Sequence, residues 1–136
     1  MATVKPLLLA LVLCDSVIRE AGTNKVSLIG IFNGIFGQNF PITHPSLCVY
    51  IALTGGHGRT ACKLRMTCMD TNAVIFELPG QIEFGDPTNV GEMIFQWNQI
   101  RLERPGVYAF EFWVDGELLG SRRLVAQKAQ PPQQHP

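Results

Sequence analysis

Hydrophobic and polar residues alternate with a period of two along most of this chain, in short runs. The clearest run is Tyr108, Phe110, Phe112 and Val114, entered through Pro105-Gly106 and closed by Asp115-Gly116. Such alternation belongs to a strand with one buried face. Asp-Gly tolerates positive φ at both central positions of a type I′ turn, so a tight hairpin into a last strand, Glu117–Val125, follows. Upstream, Leu47, Val49, Ile51 and Leu53 alternate until Gly55-Gly56-His57-Gly58 stops them. Over Thr60–Met69, Cys62, Leu64, Met66 and Cys68 point one way, and Lys63, Arg65 and Thr67 the other. Asp70-Thr71-Asn72 turns the chain into Ala73–Leu78, which Gly80–Phe84 continues. Asp86-Pro87-Thr88-Asn89 turns it again. Met93, Phe95 and Trp97 share a parity that Ile100 and Leu102 do not, which places a bulge near Asn98-Gln99.

The N-terminal third is less regular. Leu7–Cys14 is an apolar run too short to span a bilayer. No small-x-small cleavage site follows it, because Asp15, Arg19 and Glu20 intervene, so it reads as a buried first strand and not as an export signal. Asp15–Lys25 forms a partly extended connection with a turn at Gly22-Thr23-Asn24, and Val26–Phe32 is the second strand. Asn33–Ser46, broken by Gly34, Gly37, Pro41 and Pro45, reads as a long surface loop. No segment carries a helical apolar stripe. The pattern predicts an all-β fold, an immunoglobulin-like antiparallel β-sandwich of about seven to nine strands with turns every 8–12 residues. It occupies residues 1–126, with a disordered Pro/Gln-rich tail over 127–136. Tyr108 fits a tyrosine corner, its phenol bonding back to the backbone ahead of its own strand, with Gly106 supplying the sharp entry.

Composition narrows the function. Charged residues make up 16% of the 136 and hydrophobic residues 46%. A small domain with so few charges has difficulty covering itself with polar surface, and an apolar exterior signals a partner or a second copy. Eleven basic residues balance eleven acidic ones, so no basic field exists to draw a nucleic-acid backbone. Cys14, Cys48, Cys62 and Cys68 lack zinc-type spacing and fit small buried hydrophobes in a reducing compartment.

Catalytic chemistry finds no constellation. Asp15, Asp70, Asp86 and Asp115 are read as turn residues, and the glutamates as outward strand positions. His44, His57 and His135 are isolated from other ligands. Gly55–Gly58 precedes no helix and fails as a phosphate loop. Lys63, Arg65, Arg101, Arg122 and Arg123 are read as outward charges that discourage edge pairing. Trp97 keeps step with Met93 and Phe95 and suits the core. Trp113 falls on the side opposite Tyr108, Phe110 and Phe112, where it is an anchor for a protein partner unless the 33–46 loop covers it. Ile35, Phe36 and Phe40 in that loop, with Tyr50, complete the interaction candidates. Trp113, Trp97 and Tyr50 also admit a sugar-stacking platform.

Several segments together resemble a family of short bacterial proteins of unknown function. They are Leu13-Cys14-Asp15-Ser16-Val17-Ile18-Arg19-Glu20, Asn24-Lys25-Val26-Ser27-Leu28-Ile29-Gly30-Ile31-Phe32, Phe95-Gln96-Trp97-Asn98-Gln99-Ile100, and the final Gly106-x-Tyr108-x-Phe110 hairpin with Val114-Asp115-Gly116. The resemblance spans nearly all of the chain except the tail. It implies an intracellular protein that retains its first strand, and brings no activity or cofactor with it. The expectation is a cytoplasmic, non-enzymatic protein-interaction or assembly module. It needs no metal or cofactor, binds a protein partner or itself, and binds neither nucleic acid nor membrane. A carbohydrate- or small-ligand-binding sandwich is the alternative.

Overall fold

The computed structural model describes residues 5–129. Nine strands run in chain order: β1 (Leu7–Arg19), β2 (Val26–Ile31), β3 (Gly34–Gly37), β4 (Ile42–Thr54), β5 (Gly58–Cys68), β6 (Ala73–Phe84), β7 (Val90–Leu102), β8 (Gly106–Val114) and β9 (Glu117–Lys128). They form two sheets, ordered β2-β1-β4-β7 and β3-β9-β8-β5-β6. With β4 and β7 facing β5, β8 and β9, the arrangement is that of an immunoglobulin-like sandwich. No helix occurs among the described residues, and so none is long and apolar enough to cross a membrane.

The period-two pattern fixes which side chains meet between the sheets. Leu47, Val49, Ile51 and Leu53 of β4 and Leu11 and Leu13 of β1 oppose Leu64 and Met66 of β5 and Tyr108, Phe110 and Phe112 of β8 in one buried cluster. Asp115 and Gly116 adopt φ of 49° and 81°, the signs a type I′ turn requires, and β8 and β9 pair from Val114 opposite Glu117 onward. At the other end of β8 the Tyr108 hydroxyl donates to the Arg104 carbonyl at 2.7 Å, as a tyrosine corner does. Gly106 enters with φ 153°, and the Asp70 carboxylate occupies the space a side chain there would need while accepting the Val107 N–H at 3.1 Å.

The change of face in β7 is real but shared. Trp97 packs on the core, and so do Ile100 and Leu102, although the parities differ. Gln99 between them has φ 59°. In β4, Leu47 lies opposite Trp97 and Ile42 opposite Leu102, and both face inward, so β4 changes face across Pro45. Each strand takes up one residue, and the register is kept.

Three features depart from the sequence pattern. First, the segment read as a long loop over 33–46 contains β3, which pairs in parallel with Val125–Lys128 of β9, and the first five residues of β4. Pro45 is tolerated there at the point where the strand changes face. Second, Gln127 and Lys128 belong to β9, and Ala129 N–H donates to the Gly37 carbonyl, so the chain stays ordered past the boundary expected at 126. The remainder of the expected tail, 130–136, lies outside the described residues. Third, Asp15 sits inside β1 and not in a turn, because β1 runs on to Arg19.

That extension shapes the molecule. After Cys14 opposite Cys48, β1 leaves β4 and pairs only with β2. The Ser46 hydroxyl and the Cys48 thiol, both on the outer side of β4, donate to the Asp15 carbonyl at 3.1 and 3.7 Å. Farther along, the Arg19 guanidinium stands 3.9 Å from the Glu92 carboxylate of β7. The two-stranded ribbon therefore lies across the outside of its own sheet. Cys14, Cys48 and Ala52 are almost inaccessible although they belong to no part of the core between the sheets.

Candidate interaction surface

The exteriors of the two sheets differ in chemistry. On the five-stranded sheet, outward residues of β5, β6 and β8 form an ionic lattice. Glu77 takes Arg65 at 2.5 Å and Lys63 at 3.8 Å, and Arg59 approaches Glu83 at 3.9 Å. Trp113 lies within this lattice. Lys63 and Arg65 stand 5.6 and 5.1 Å from its ring centre, and its indole N–H donates to Glu111 at 3.2 Å. The ring does face outward, on the side opposite the core, but the cations of β5 and not the 33–46 segment cover it. Beside it a shallow cleft of about 230 Å³ is lined by Ala61, Cys62, Lys63, Pro79, Trp113, Asp115 and Gly116.

The exterior on the four-stranded side is apolar. Within the ribbon, Val17 and Leu28 lie opposite each other and are half-buried, while Ile18 and Ile29 on its other side are 51% and 46% exposed. Ile31, and Ile94 and Val90 of β7, are exposed as well. Across this region Arg19 and Glu92 face each other, and the carboxylate of Asp15 is exposed beside Ile31. Tyr50 is half-buried on the outer side of β4 and donates its hydroxyl to Glu92. Burial first, then the neighbouring carboxylate, pushes its phenol up to about 12.

The remaining candidates separate. Ile35 is 7% exposed and belongs to the core, because β3 turns it inward as part of the second sheet. Phe40 also packs against the core, partly buried. Phe36, its neighbour by alternation, is 68% exposed. Arg122 faces inward with Leu124 and Ala126, and its guanidinium donates to the Leu11 carbonyl at 3.2 Å, bridging β9 to β1 where each is paired on one side only, β9 with β8 and β1 with β4. The aromatic platform is divided three ways. Trp97 packs inside, stacked with Phe95 and tilted against Phe76, Tyr50 lies outside one sheet, and Trp113 lies outside the other. Sequence reasoning missed the isoleucines of the ribbon. Their signal was Ile18, Ile29 and Ile31 around a Gly-Thr-Asn turn, obscured because the 15–25 segment lacks clean alternation.

Titratable groups assemble sparsely. His44 Nε2 lies 3.7 Å from Asp15 Oδ1 at one end of the sandwich and has no hydrogen-bond partner. No group of three or more metal-ligating side chains occurs among the described residues. All four cysteines are free and buried, and burial raises the Cys62 thiol to about 11.

Residues 9–127 match the profile of a family of unknown function, DUF6941, and the chain belongs to that family. No protein of curated function matches it in sequence. Among solved structures it is similar to the Pseudomonas fluorescens alkylpurine DNA glycosylase AlkC bound to DNA containing an abasic site analog. That likeness has a TM-score of 0.55 at 11% identity and covers 93% of this chain. The chain spans 31% of the glycosylase's length, and the likeness concerns the fold alone. A Bifidobacterium dentium beta-glucuronidase complexed with coumarin-3-O-glucuronide aligns more loosely, at a TM-score of 0.40, 12% identity, 89% of this chain and 17% of that one.

Proposed function

We propose that this chain is a cytoplasmic, non-enzymatic assembly module that associates with a second copy of itself through the apolar exterior of the β2-β1-β4-β7 sheet. The supporting observation is that exterior: Ile18, Ile29, Ile31 and Ile94 stand in water around one compensated ion pair. Monomeric domains rarely leave such a patch uncovered. A ribbon of two strands is marginal by itself, and a cover over its outer isoleucines stabilises it. The zero net charge of the chain leaves two copies free of mutual repulsion. Four reduced thiols suit a cytoplasmic setting. Light scattering over a wide concentration range, on the parent chain and on Ile18→Glu/Ile29→Glu, tests the reading. A mass that rises with concentration only in the parent supports it. A concentration-independent monomer in both overturns it.

A further inference from the structure

Of the four sheet edges, β7 is the least defended. Edge strands expose unpaired backbone groups and are usually blunted by proline, charge, bulges or brevity. β6 carries Pro79, which has no N–H, between Glu77 and Glu83, and takes a bulge next to Met66-Thr67. β3 has four residues. β2 has six, one of them Gly30 at φ 70°. β7 has thirteen, pairs on one side only, with β4, and contains no proline. Over its regular part, Val90–Asn98, Glu92 is the one charged residue. Its inward side chains Met93, Phe95 and Trp97 are only partly buried, so the core itself opens at this edge.

We infer that the second copy of this chain joins here, β7 to β7 and antiparallel, about a two-fold axis at Ile94. This rests only on the self-association of the reading above, and moves the contact from the outer face of that sheet to its β7 edge, Ile94 being the residue common to both. In that register Glu92 of each copy stands opposite the Gln96 amide of the other, Met93 opposite Phe95, and Trp97 opposite Gly91, where no side chain competes for space. Ile94 meets its own copy. No like charges oppose, and residues directly across an antiparallel ladder share a face, so apolar meets apolar on the inner side. The two four-stranded sheets become one sheet of eight.

The test uses the full chain, with folding of each variant checked by circular dichroism. Gln96→Glu, at an exposed position, sets two glutamate pairs face to face. It weakens dimerisation about tenfold at low salt, and adding Glu92→Lys restores it. Ile94→Cys crosslinks to itself under mild oxidation, whereas Val90→Cys, which faces Asn98, does not. Crosslinking at Ile94→Cys together with rescue by Glu92→Lys establishes the geometry. Association that survives Gln96→Glu but is lost in Ile18→Glu/Ile29→Glu overturns the β7 pairing and leaves the apolar-exterior reading standing. Association lost in Gln96→Glu and kept in the isoleucine variant does the reverse. A monomer throughout overturns both.

Discussion

The two outer surfaces of this sandwich are built on the same alternating backbone and satisfy their side chains in different ways. Outside the five-stranded sheet, Lys63, Arg65, Glu77 and Glu111 surround Trp113, so that indole is held by groups of its own chain, while Phe36 of the edge strand β3 is left exposed. Outside the four-stranded sheet, the ribbon buries the small side chains of Cys14, Cys48 and Ala52, yet presents Ile18 and Ile29 in their place. An outward aromatic is therefore a poor guide to a binding surface when cations already lie over its ring. Exposed aliphatic side chains are a better one, because nothing within the chain compensates them.

The contrast can be broken by substitution. Under the apolar-exterior reading, Ile18→Glu/Ile29→Glu has the largest expected effect: burial of two such side chains is worth about 3 kcal/mol, so self-association falls about a hundredfold, whereas β7 pairing alone leaves it unchanged. Unfolding in urea, measured below the association range, stays within about 0.5 kcal/mol of the parent, as for other surface changes. Trp113→Ala acts in the opposite sense. Loss of a half-buried indole costs about 2 kcal/mol of stability, while light scattering shows unchanged association. If association fell instead, Trp113 would be the anchor and the comparison would invert.

A pH series sharpens the same contrast. The folded state holds the Tyr50 proton more tightly than the unfolded chain does, so the associated stability is intact below the ordinary 10 and is lost as pH rises toward about 12. Cys62 adds a similar loss between 9.0 and about 11. Stability of Tyr50→Phe, followed by chemical denaturation, therefore loses only the Tyr50 share of this decline, while the shares of Cys62 and of Tyr108, whose phenol burial also raises, persist. The smallest effect belongs to Glu77→Gln. This residue joins Lys63 and Arg65 in a largely exposed network, and its loss costs less than about 1 kcal/mol, diminishing further with salt. A larger loss in thermal denaturation would mean that the lattice holds the five-stranded sheet together.

Much of the fold was legible. The β8–β9 hairpin, the inward thiols of β5, the tyrosine corner and the change of face near Gln99 depend on residues within a few positions of one another, and sequence patterns carry such local information well. Of the interaction candidates, Trp113, Tyr50 and Phe36 do project from the outer faces, while Ile35 and Phe40 pack against the core. The difference came from β3. Its four residues, two of them the glycines at its ends, look like a loop, and they become a strand only because the distant end of β9 supplies a parallel partner.

Alternation along a strand reveals that one face is buried, but not against what, nor whether the opposite face meets water. Local pattern was therefore enough for an antiparallel sandwich with a known inner face, sharp turns at Asp115-Gly116 and Asp70–Asn72, and an exterior short of charge. Long-range pairing sets the rest: β1 departs from β4 after Cys14, the ribbon it forms with β2 crosses the outside of its own sheet, and β7 ends that sheet without a neighbour. Those outcomes rest on pairings between residues tens of positions apart, whose energies depend on which backbone groups find partners and not on any local pattern.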